Sequence, residues 1–272
     1  MWKPLAGPIA KFFADRGTHL AAMIAYFALL SFLPLTFIAL SLLGFAGRPD
    51  ESSYLVTELQ KIFPSASIDQ VVDAVDKVQR NAKTLGIVGA VTLLWSSLSL
   101  FSVLESAFNI VYGRPNRPFL RGKALAVVFM AAGLVVLFVG LTIGTVGHAL
   151  LQRYAGGVAA NAVVAYLLSL LISTLAVFLF LVTAYFRLTN ERLRWGEVWP
   201  GAVLAAVSLQ LTFQALPIFL GYTKQVAALQ ALGATAILLV WLYVMANVIV
   251  FGAEVNWWLA RGRRREDVDG PA

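Results

Sequence analysis

An all-α integral membrane protein with six transmembrane helices is the fold this sequence predicts, and three observations predict it. Hydrophobic residues make up 60% of the 272 residues and charged residues only 13%, against about a quarter charged in a soluble domain. The apolar residues are gathered into runs of twenty or more, the length a helix needs to cross roughly 30 Å of hydrocarbon. The lysines and arginines behind the net charge of +7 cluster at the ends of those runs, where a membrane surface is a better partner than nucleic acid.

The elements follow in order. The opening stretch MWKPLAGPIAKFFADRGT puts Trp2, Leu5, Ile9, Phe12 and Phe13 on one helical face, with Lys3, Lys11 and Arg16 largely elsewhere; this is the pattern of an amphipathic helix lying in the interface. The first span is placed near 20–46. It is too long for a signal-peptide core and reads as an anchor that stays, with Pro34 kinking it. The long extracytoplasmic loop 47–84 carries ESSYLVTELQKIF and SIDQVVDAVDKVQR, too short to span and read as amphipathic helices over the membrane surface. Spans follow near 85–111, 123–150, 160–186, 198–220 and 232–259. Residues 1–260 thus form one membrane domain, and residues 261–272 a basic, then acidic tail with too little apolar character to order itself. Gly140 and Gly144, with Gly133 and Gly147 nearby, offer a small-residue packing face on the third span.

Orientation comes from the basic residues. Fourteen lysines and arginines fall on the side of the N-terminus, the second and fourth loops and the tail, and seven on the other. Both termini are therefore expected in the cytoplasm, which requires an even number of spans. Trp195, Trp199, Trp257 and Trp258 lie at the same ends and suit an aromatic belt.

The second span raises the functional question. Ser99, Ser102, Ser106 and Asn109 recur at three and four residues, with Glu105 beside them and Tyr112 a turn beyond. A carboxylate facing lipid costs several kcal/mol on the gentler scales, so this face must look at other helices or at a wet cavity. Glu105 lies about 13 Å before Arg114 and Glu254 about 10 Å before Arg261 at the α-helical rise, so both sit in the cytoplasmic half at similar depth. Glu197 opens the fifth span from the same side, and Asn247 and Asn256 accompany Glu254. Two readings stay open. In one, each glutamate pairs with an arginine or amide and locks helices together. In the other, these residues line a polar vestibule that accepts a cation, a proton or a polar head group. Arg114, Arg117, Arg121, Lys123 and Arg261 form a basic rim around it, suited to anionic lipid head groups.

Several function classes are excluded or disfavoured. Without cysteine there is no disulfide, thiolate site or cysteine nucleophile. His19 and His148 are the only histidines and fall on opposite sides, so no metal site and no cofactor is expected. The serines of the second span lack a base, which leaves no candidate catalytic residue.

At AYFALLSFLPL, LWSSLSLFSVLESAFNIVYG, RWGEVWPGAVLAA and WLYVMANVIVFGAEVN the sequence resembles the YihY / virulence factor BrkB family, from about residue 10 to 260. One departure is LQALGATA before the last span, where relatives tend to show a Tyr-Gly pair. The resemblance implies a bacterial inner-membrane protein of about six helices, linked in relatives to serum resistance and to envelope or lipid-export phenotypes. Some relatives have carried a ribonuclease BN label. The readings rank as a non-enzymatic transporter or flippase-like protein for a lipid or polar solute, then a scaffold for envelope proteins, then a ribonuclease. The expected partners are membrane lipids, including anionic head groups, with homo-oligomers or envelope proteins as further candidates and no nucleic acid.

Overall fold

Residues 3–45, 82–154, 162–223 and 227–268 are described by the structure, a computed structural model. They form seven α-helices: α1 Lys3–Ala14, α2 Gly17–Phe45, α3 Ala82–Val111, α4 Phe119–Tyr154, α5 Ala162–Leu188, α6 Trp195–Thr223 and α7 Ala227–Val268. Among the described residues no strand occurs. Both surface helices expected in the long loop lie outside the described residues.

Five helices contain stretches long and apolar enough to cross a membrane: Leu94–Val111, Phe119–Val136, Leu170–Leu188, Trp195–Leu216 and Thr235–Arg261. Helix α2 adds a shorter apolar stretch, Gly17–Phe32. The fold is that of an all-α, multi-pass membrane protein. Helix α7 is its centre: α6 and α2 pack along it most extensively, and α1 and α3 also reach it. Helix α5 leans on α6, and α4 packs chiefly on α3.

Two helix ends depart from the sequence expectation. Helix α4 begins at Phe119 rather than near 123, because the Pro118 carbonyl accepts the Gly122 N–H at 3.0 Å and starts the helix inside the basic segment. Helix α7 does not stop at the end of its apolar run but continues through the arginines to Val268. Arginine is a good helix former, and a single glycine costs only about 1 kcal/mol, so Gly262 does not end the helix.

Lipid is as apolar as leucine, so helices in a bilayer associate through close packing and polar contacts rather than through hydrophobic exclusion. The packing is tightest where α6 crosses α7. A Cβ on Gly201 would overlap the Gly252 carbonyl oxygen, and one on Gly252 would lie 2.9 Å from both the Ala205 Cβ and the Gly201 carbonyl oxygen. Of the small-residue face expected on the third span, Gly133 has nothing within 4 Å of an added Cβ, and the surroundings of Gly140, Gly144 and Gly147 lie outside the described residues. Around the crossing, Phe108 and Tyr185 meet edge to face at 5.0 Å, and the Tyr185 hydroxyl donates to the Ile249 carbonyl at 2.7 Å. Most of the buried core, including Leu181, Leu188, Val198 and Val250, lies at the end of the bundle that carries α1 and the α3–α4 and α5–α6 turns. We call it the basic end.

Candidate functional site

Two polar networks occupy the basic end. The first is built on α3 and the turn after it. Gly113 takes a left-handed conformation (φ 63°). Its N–H donates to Ile110 and the Arg114 N–H to Asn109, at 3.0 and 2.7 Å. This paired capping satisfies the last α3 carbonyls and turns the chain sharply. The turn brings Arg117 back beside Glu105, twelve residues earlier.

The Arg117 guanidinium donates to Glu105 Oε1 at 3.1 Å. It also donates to the carbonyls of Leu188 at 2.6 Å, Arg187 at 3.0 Å and Thr189 at 2.9 Å. One cation therefore neutralises a buried carboxylate and caps the C-terminus of α5, where the helix dipole favours positive charge. Close by, Asn109 accepts the Asn190 N–H at 2.6 Å and donates to Asn116 Oδ1 at 3.0 Å. Asn116 in turn donates to Ser106 at 3.1 Å, and Asn190 to the Pro115 carbonyl at 3.0 Å. Arg114 pairs with Glu191 at 3.0 Å. The α3–α4 and α5–α6 turns are thus tied into one unit.

The second network is centred on Glu254, whose side chain is fully buried on α7. Lys11 of α1 reaches it: Nζ donates to Glu254 Oε2 at 2.7 Å and to the Val111 carbonyl at 2.9 Å, and it also pairs with Asp15. The same ammonium lies 4.2 Å from the Trp257 ring centre, with the Arg261 guanidinium 4.7 Å from it. Glu254 Oε1 has no hydrogen-bond partner. Asn256 accepts the Gly201 N–H at 2.7 Å, leaving its Nδ2 unpartnered.

The remaining candidates divide by what they touch. Ser99 and Ser102 donate to the carbonyls of Trp95 and Leu98, four residues back, and Asn247 does the same to Tyr243. Ser102 also accepts from Lys123 at 3.2 Å, whose ammonium lies 4.5 Å from the Trp95 ring centre. Glu197 turns back to accept the Arg194 N–H at 2.8 Å, the glutamate half of a capping box at the start of α6. Tyr112, Arg114, Glu191, Trp257 and Arg261 line a pocket of about 250 Å³. A larger cleft of about 690 Å³ runs between α4 and α5 and contains Arg117 and Arg121 together with Arg187 and Arg192. Glu105 and Glu254 thus each have a cation of their own and share none.

Both networks lie within residues 9–272, which match the model of the virulence factor BrkB family. The chain belongs to this family. A UPF0761 membrane protein of Vibrio vulnificus is 28% identical over 253 residues, covering 91% of this chain and 79% of its own length. One from Rhodospirillum centenum is 25% identical over 262 residues, covering 94% of this chain but 57% of its own length. The ribonuclease-like protein YfkH of Bacillus subtilis is 20% identical over 265 residues, covering 95% of both. No solved structure matches the chain.

Within this BrkB-family chain, sequence reasoning missed five site residues. Lys11 falls off the apolar face of α1 by helical spacing and reads as solvated, and its partner is 243 residues away. Asn116 and Asn190 read as loop polarity, although an asparagine in each of two turns is a weak signal that they meet. Arg187 and Arg192 read from sequence only as topology signals. Among the described residues, no group of three or more His, Asp or Glu side chains is placed to hold a metal ion.

Proposed function

We propose that this chain is a non-enzymatic transporter or flippase-like protein of the bacterial inner membrane, moving a lipid or polar solute through a polar vestibule at its basic end. By the distribution of lysine and arginine that end faces the cytoplasm. The observation that carries the reading is Glu254. A fully buried carboxylate with one oxygen on Lys11 and the other without a partner is costly in a bilayer. An unmet buried acceptor of this kind is where a proton, a cation or a head-group ammonium can be received. In the described state α1 closes the approach, since Lys11 occupies the carboxylate and Phe12 packs on Phe251 at 5.9 Å. Release of Lys11 would open it.

The test is transport by the purified chain in vesicles carrying a fluorescently labelled phospholipid, with dithionite reporting on transfer between leaflets. Wild type should accelerate transfer, and Glu254→Gln should slow it at unchanged protein content. Glu105, already neutralised by Arg117, should matter less. Full activity in Glu254→Gln would remove the vestibule from the mechanism. The name of the Bacillus relative supplies a second reading, RNA cleavage; incubation of the purified chain with a tRNA precursor and divalent metal tests it.

A further inference from the structure

The α4–α5 cleft has a chemistry that the two networks do not use. Arg117, Arg121, Arg187 and Arg192 line it, with Glu191 among them. Arg117 is engaged by Glu105 and three carbonyls, and Glu191 by Arg114. Arg121, Arg187 and Arg192 are exposed and have no carboxylate partner among the described residues. Three cations thus face one cleft with no acid left over to neutralise them.

The rest of the cleft is apolar. Leu125, Val128, Phe186 and Leu193 line it. Val128 lies seven residues along α4 from Arg121, about 10 Å deeper at the helical rise. Helix α4 packs chiefly on α3 and has little contact with α5, and Val127, Val128, Val135 and Val136 are exposed along it. In a bilayer those side chains meet acyl chains. The cleft is therefore basic at the membrane surface and apolar below, and its volume of about 690 Å³ falls in the range of small-molecule sites.

We propose that this cleft binds one anionic phospholipid of the leaflet at the basic end. Arg121, Arg187 and Arg192 hold its head-group phosphates, a pairing that the planar guanidinium fork favours. Leu125, Val128 and Phe186 take its upper acyl carbons. A soluble phosphate would satisfy the arginines but leave the apolar floor unused, so the lipid is the occupant that matches both ends. The observation is independent of Glu254, and the site stands whether or not the chain transports anything.

Native mass spectrometry of the full chain tests this, after delipidation and titration with phosphatidylglycerol, phosphatidylcholine or inorganic phosphate. Wild type should retain one phosphatidylglycerol in preference to phosphatidylcholine. Arg121→Gln with Arg187→Gln should weaken that retention roughly thirty-fold, from two surface arginines. Arg16→Gln, an exposed arginine outside the cleft, should leave it unchanged. Val128→Trp keeps every arginine and fills the floor at an exposed position, so it should lose the lipid while melting at the same temperature. Equal retention of both lipids, or retention unaffected by the cleft variants, would overturn the proposal. So would displacement of phosphatidylglycerol by millimolar inorganic phosphate together with normal binding to Val128→Trp, because the occupant would then be a soluble anion.

Discussion

Replacing Lys11 by methionine should destabilise the protein far more than loss of a surface charge does. The side chains of Lys11 and Glu254 are 11% and 0% exposed, so this is a buried pair. Removing one partner of such a pair costs about 3–5 kcal/mol, whereas an exposed pair contributes about 1 kcal/mol or less. The structure explains the larger figure: without Lys11, neither oxygen of Glu254 has a partner, since Oε1 already lacks one. Glu254→Met should be milder, about 1 kcal/mol, because Lys11 keeps Asp15 and the Val111 carbonyl and a buried pair can often be replaced by apolar groups at little cost. The double variant should fall near wild type, which makes the coupling roughly 4–6 kcal/mol. Equilibrium unfolding in mixed detergent–SDS micelles, followed by tryptophan fluorescence, measures all four corners of the cycle. A cost below about 1 kcal/mol for Lys11→Met, or single changes that simply add, would refute the argument that the ammonium is what makes Glu254 tolerable.

Three further outcomes are expected. Arg117→Lys keeps the charge but loses the fork that serves Glu105 and three carbonyls, so it should cost about 1–2 kcal/mol and Arg117→Met about 3–5 kcal/mol, with faster proteolysis at the α5–α6 turn as a second readout. Gly113→Ala forces a side chain into the left-handed region and should cost about 1–2 kcal/mol, seen as a lower melting temperature in detergent. Gly252→Ala should cost about 1–3 kcal/mol through overpacking against Ala205 and Gly201, whereas Gly133→Ala should be neutral or stabilising by up to about 1 kcal/mol; parallel thermal melts compare them directly.

The helices were legible because a bilayer imposes length and apolarity on every crossing segment. Their ends were less so, since hydropathy reports where lipid ends and hydrogen bonding decides where a helix does. Phe119 and Val268 are both helix ends within charged sequence. The polar stripe of α3 was readable from its spacing, but the partners were not. Arg117 meets Glu105 only because Gly113 reverses the chain, and nothing local to Lys11 points to Glu254. The presence of a glycine was equally silent: Gly133 stands in open space while Gly201 and Gly252 hold two backbones together. Which glycine matters depends on which helix lies opposite, and that is a property of the assembled bundle.

Lys11 and Glu254 also stand at opposite ends of synthesis. The lysine leaves the ribosome first and its carboxylate only 243 residues later, so α1 lacks its main docking partner until the last helix is inserted. A prematurely terminated chain would carry a loose amphipathic N-terminus on the membrane, a mark by which quality-control proteases could tell unfinished copies from complete ones.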